Sequence, residues 1–169
     1  MKVQISSALV GALFTGASFA ADIEGGSSIV KFTGEIKEST CVINTSQSKL
    51  DVDMGTVSTQ AFSGAGSTSA EKDFSISLTG CSGLTSAYIH FKGNTADSTT
   101  LISGNSSVGI QVKQDGQLVA LDGSSKTNNV EFSGDGNATL NFTANYIQIA
   151  STISAGAATA QADFTVYYQ

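Results

Sequence analysis

The chain has no tryptophan, no proline and no arginine among its 169 residues, a single histidine and two cysteines. Each scarcity removes a class of function. With eight cationic side chains against fourteen acidic ones, the formal charge is −6. The clustered cations that neutralise phosphates are therefore missing, which speaks against nucleic acid as a partner. The lone His90 cannot build a histidine-rich metal site. It stands in the run Tyr88-Ile89-His90-Phe91, with no neighbouring acid to orient it as a general base. No Cys-x-x-Cys pair offers a reactive dithiol. The missing tryptophan removes the commonest platform for stacking a sugar ring. No apolar run reaches the roughly 20 residues needed to span a bilayer.

The first twenty residues carry Lys2, an apolar run over 8–14, and the small residues Ser18 and Ala20 ahead of Ala21. This is the pattern of a secretory signal cut after Ala20. Removing 20 of 169 residues would leave 149, and losing Lys2 would move the charge from −6 to −7. The expected organisation is a signal peptide at 1–20, an N-terminal extension at 21–37 and one domain at 38–169. In an exported chain, two cysteines separated by 39 residues most simply form one structural disulfide, Cys41 with Cys81. Closing that loop would contribute roughly 4 kcal/mol on the chain-entropy model.

Abundant Gly, Ser and Thr suit short strands joined by polar turns. Strand-like runs occupy 28–36, 39–43, 49–57, 72–78, 87–92, 108–113, 117–121, 137–149 and 161–168. A two-residue turn is expected at Asp115-Gly116, because both types tolerate the positive φ that a type I′ hairpin requires. Residues 63–70 and 93–106 read as loops, and 153–160 is small and apolar but too short for a helix. Side-chain period two assigns faces. Phe74, Ile76 and Leu78 point inward, as do Leu140, Phe142, Ala144 and Tyr146, with Asn141, Thr143 and Asn145 on a wet outer face. At the C-terminus, Ala162, Phe164, Val166 and Tyr168 share one face, so the chain is expected to end inside a sheet. Over 28–36, Ser28, Val30, Phe32, Gly34 and Ile36 form one face against Ile29, Lys31, Thr33 and Glu35. Asp51 and Asp53 share a face turned to solvent and lack the further oxygen ligands of a calcium loop. No base, metal set or oriented nucleophile can be assigned, so the chain is read as a non-enzyme without a cofactor.

Four segments in order resemble the chaperone-usher pilins, the subunits of bacterial type 1-like fimbriae. They are Val30-Lys31-Phe32-Thr33-Gly34-Glu35-Ile36 leading into Cys41; Val52-Asp53-Met54-Gly55-Thr56-Val57; Phe74-x-Ile76-x-Leu78-Thr79-Gly80-Cys81; and the stretch from Gly156 to the penultimate Tyr168. The resemblance implies an all-β fold, an incomplete immunoglobulin-like β-sandwich lacking its C-terminal strand and carrying an N-terminal donor strand extension. It implies polymerisation by donor strand exchange. Ser28, Val30, Phe32, Gly34 and Ile36 would fill a neighbouring subunit's groove, with Gly34 where there is room only for backbone. Gly156, Ala162, Phe164, Val166 and Tyr168 would form the acceptor groove, and the carboxylate of Gln169 would anchor a chaperone. The implied partners are neighbouring pilin subunits, a periplasmic chaperone and an outer-membrane usher, with export to the cell-surface fimbrium. The alternative from another class is an exported monomeric carbohydrate-binding adhesin module on the same sandwich.

Overall fold

The computed structural model describes Thr33 and residues 41–169. The signal at 1–20 and the face Ser28, Val30, Phe32, Gly34 and Ile36 lie outside the described residues, so the unit spanning Lys37–Gln169 is the one with a fold to explain. Its strands are β1 (Val42–Ile43), β2 (Lys72–Thr79), β3 (Ser86–Gly93), β4 (Thr95–Asp97), β5 (Thr100–Ile102), β6 (Val108–Gln114), β7 (Gln117–Leu118), β8 (Val130–Glu131), β9 (Ala138–Gln148) and β10 (Ala162–Tyr168). No α-helix occurs among the described residues, only a 3₁₀ turn at Thr59–Ala61 that Ser58 caps by accepting from the Gln60 N–H at 3.2 Å.

The strands form two antiparallel sheets. The larger runs β1-β2-β9-β6-β5-β4, with β7 added to β6; the smaller runs β10-β3-β8. The inward faces are those read from alternation. Ile76, Leu78, Ile89, Leu121 and Leu140 are all but inaccessible. Phe142 of the larger sheet meets Phe91 of the smaller one edge-to-face at 5.3 Å and stacks on Phe74 at 5.2 Å, tying the layers together. Cys41 and Cys81 form the disulfide, with Cα atoms 4.2 Å apart, and so fasten the entry of β1 to the exit of β2. Asp115 and Gly116 take positive φ, 51° and 76°, and join β6 to β7 in the hairpin the sequence predicts.

Three expectations change. Residues 93–106 are not a loop: they hold the β4–β5 hairpin, turned by Asp97, whose carboxylate accepts from the Thr99 N–H at 2.8 Å. Residues 49–57 form no ladder. Lys49 N–H reaches Ser75 O at 2.8 Å, but Gly55 then takes φ 66° and donates to the Asp53 carboxylate at 2.9 Å, a local turn that breaks the extended run. Asn145 is buried rather than wet. It stands in register with Gln111, which stands in register with Thr100, so a polar row crosses three strands. Gln111 donates to the Thr100 hydroxyl at 3.3 Å.

Candidate strand-accepting groove

Among the described residues the C-terminal strand is the one long strand with a vacant side. Among the described residues β10 pairs with β3 alone. Gln169 and Ser86 exchange both backbone bonds, at 2.9 and 3.2 Å. In an antiparallel pair, such exchanging positions recur every second residue. Asp163, Thr165 and Tyr167, in register with Lys92, His90 and Tyr88, therefore spend their N–H and C=O groups on β3. Ala162, Phe164, Val166 and Tyr168 turn theirs to the other edge. The same four residues point their side chains toward the core, and each remains only half-buried.

Beside that edge lies an open groove of about 1190 Å³. That exceeds the roughly 300–1,000 Å³ of a small-molecule site and suits a length of chain. One wall is the unladdered segment 50–59 and the other is 153–162. The floor carries Phe74, Phe91, Ile110, Val112, Leu121 and Tyr146 from both sheets. Of the residues expected to form the acceptor groove, Gly156, Ala162 and Phe164 line it. Val166 and Tyr168 continue the same face beyond it, Tyr168 leaning on Phe132 with ring centroids 6.4 Å apart. The main-chain oxygen of Gln169 is already engaged: it accepts from the Thr85 N–H at 2.6 Å and the Thr85 hydroxyl at 3.0 Å. That the floor and the 50–59 wall belong to the groove escaped sequence reasoning, because their residues come from six or more separate segments; the alternation marked Phe74 and Tyr146 only as inward-facing, and residues 52–57 entered only as part of a strand-like run and of the pilin resemblance.

Electrostatics in the groove are mild. Burial, and secondarily the charge of Asp53 on the opposite wall, raise the Tyr146 phenol above its ordinary pKa; burial alone raises Tyr168. His90 lies on the outer face, its Nδ1 3.4 Å from Gly123 O and its ring 5.2 Å from Tyr167. Tyr167 stacks on Tyr88 at 5.3 Å, and Lys126 sits 4.6 Å above the Tyr88 ring. Among the described residues no group of three or more His, Cys, Asp or Glu could hold a metal, and no helix is long and apolar enough to cross a membrane.

The groove and its bare edge can be set beside known proteins. Residues 30–169 match the family described as fimbrial protein. The probable major fimbrial subunit LpfA of Escherichia coli O157:H7 is 36% identical over all of this chain and 98% of its own length. The P pilus rod subunit PapA has a similar fold, with a TM-score of 0.67 at 24% identity over 78% of this chain and all of PapA. A subunit in the structure of a chaperone-usher pilus gives 0.65 at 25% identity, over 89% of this chain and all of that one. The chain belongs to the fimbrial protein family and is a structural subunit of a fimbria.

Proposed function

We propose that the chain polymerises by donor strand exchange, its segment 28–36 entering the groove of the next subunit and lying along the bare edge of β10. The observation that carries this reading is the coincidence, at Ala162 and Phe164, of free backbone groups with half-buried apolar side chains on an open groove. An unpaired edge of this kind invites a strand. Val30, Phe32 and Ile36 would each contribute roughly 1.5–3 kcal/mol when fully buried, and the ladder would add its hydrogen bonds. Gly34 would pass where only backbone fits.

Before assembly the same edge needs cover, so the reading includes a periplasmic chaperone that lends a strand and an outer-membrane usher where the exchange occurs. Export through the periplasm follows from the secretory pattern at 1–20. We read the chain as non-catalytic, since His90 is held by Gly123 and two tyrosines. The test compares residues 21–169 with a version starting at Lys37, each with and without a peptide of residues 27–37. The shorter version is expected to aggregate alone and to fold with peptide; Phe32→Asp or Gly34→Arg in the peptide is expected to abolish the rescue. A shorter version that stays monomeric and melts reversibly without peptide overturns the proposal.

A further inference from the structure

We propose that Asn105, Ser107 and Tyr146 form a latch that holds the 153–161 wall of the groove in place, which makes them positioning residues for strand uptake. The inference rests on the strand-accepting reading above. The wall has little to fix it by itself. It lies between the end of β9 at Gln148 and the start of β10 at Ala162, outside both ladders. From 154 to 160 it reads Ser-Ala-Gly-Ala-Ala-Thr-Ala, side chains that bury little apolar surface.

What fixes it is a set of hydrogen bonds to its backbone from elsewhere in the fold. The Asn105 side-chain amide donates to Ser154 O at 2.9 Å, and the Ser154 N–H donates to the Ser107 hydroxyl at 3.1 Å. The Gly104 N–H donates to Thr159 O at 3.1 Å. From the floor, the Tyr146 hydroxyl donates to Ala158 O at 2.9 Å. The Asn105 amide cannot turn over without loss. Its Oδ1 accepts from the Ser107 N–H at 2.9 Å and from the Ser107 hydroxyl at 2.6 Å, so its Nδ2 must face the carbonyl of the wall. The Ser107 hydroxyl gives its single proton to Asn105 and takes one from Ser154. Donors and acceptors form a closed chain, and none of them belongs to the β10–β3 ladder. Loosening them should therefore release the wall and leave the strand.

The experiment uses the full chain with Tyr146→Phe, Asn105→Ala and Ser107→Ala, reading amide hydrogen exchange by residue and the uptake and release rates of a labelled peptide of residues 27–37. Losing one such bond is expected to speed exchange at the Ser154 amide, the wall N–H that donates into the latch, by roughly three- to tenfold with no change at Thr165 and Tyr167, whose N–H groups face β3. Uptake should slow by a similar factor, with release from the filled groove unaltered. Unchanged exchange at the Ser154 amide, an equal rise at Thr165 and Tyr167, or uptake at the parent rate overturns the latch. Should the parent chain take up no peptide, the strand-accepting reading fails, and wall exchange still judges the latch by itself. Tyr146→Phe keeps the ring, so it decides the matter if Asn105→Ala fails to fold.

Discussion

Phe164 is the side chain whose surroundings should differ most between the open and the filled groove. In the open form its ring is half-buried, 6.2 Å from Phe91 between centroids, with the bare edge of β10 beside it. Truncating a fully buried phenylalanine to alanine costs roughly 3–5 kcal/mol. Phe164→Ala should then cost about 2 kcal/mol in the open form, where about half of the contact exists, and about 4 kcal/mol once a strand closes over it. The difference of about 2 kcal/mol should appear as a Kd for the 27–37 peptide weakened about thirtyfold. Competition fluorescence anisotropy on the version starting at Lys37, refolded with peptide, measures that Kd, and urea midpoints over a series of peptide concentrations give the filled-form stability and, by extrapolation, that of the open form. Tyr167→Ala is the control: it lies on the same strand but the opposite face, stacked on Tyr88 at 5.3 Å. It should lower both stabilities alike and leave the Kd where it was. A parental Kd for Phe164→Ala, or an equal loss for Tyr167→Ala, refutes the idea that a strand seats on this face.

Replacing Cys41 and Cys81 by serine opens a loop with a sequence separation of 40 and should lower the stability of the peptide-filled form by about 4 kcal/mol in urea; a loss under about 1 kcal/mol contradicts the chain-entropy account. Val166→Pro removes an N–H that faces the bare edge while sparing the β3 ladder, so peptide uptake should fail in a protein whose far-ultraviolet circular dichroism is unchanged, whereas Thr165→Pro should unfold the strand. Because the fold keeps Tyr146 and Tyr168 protonated above the ordinary tyrosine pKa, the folded chain binds more protons than the unfolded one beyond about pH 10. Stability should therefore be full below that pH and fall as pH rises above it, with a shallower fall in Tyr168→Phe; an identical alkaline profile for that variant contradicts the assignment.

The long strands were legible where apolar side chains alternate: β2, β9 and β10 appear where Phe74-x-Ile76-x-Leu78, Leu140-x-Phe142-x-Ala144 and Ala162-x-Phe164-x-Val166-x-Tyr168 place them, while β6 follows the strand-like run at 108–113 and is buried on both faces. The Asp115-Gly116 turn was legible because few residue pairs accept its backbone angles. By contrast β4, β5 and β8 are two or three residues long, too short for any period to show. The groove was only half legible. Its β10 side follows from one local pattern, but its floor joins Phe74, Phe91, Ile110 and Leu121, and its wall is fastened by Asn105 across 49 residues to Ser154. Such proximities belong to the packed fold and leave no mark on neighbouring residues in sequence. The 49–57 run misled for a related reason: Val52 and Met54 do face the core, yet period two reports a buried face and says nothing about whether a pairing strand stands alongside.

The other sheet edges bear on why association should occur at one place only. An exposed edge strand pairs with whatever arrives, and natural sheets blunt such edges by shortness or irregularity. Among the described residues the edges of the larger sheet are β1 and β7, two residues long each, and β4, three residues long with a register shift between Thr95 and Asp97. In the smaller sheet one edge is the two-residue β8. The remaining edge, β10, is seven residues long and regular in register from Ala162 to Tyr168. Among the described residues it alone combines an apolar face with a groove wide enough for a chain. The other four edges are thus too short to hold a partner strand, since two or three ladder positions offer few hydrogen bonds against the entropy of ordering it. If a strand seats on β10 as proposed, selectivity for one joint would need no dedicated recognition surface: it would follow from the lengths of the edges, with the apolar face of β10 supplying the affinity.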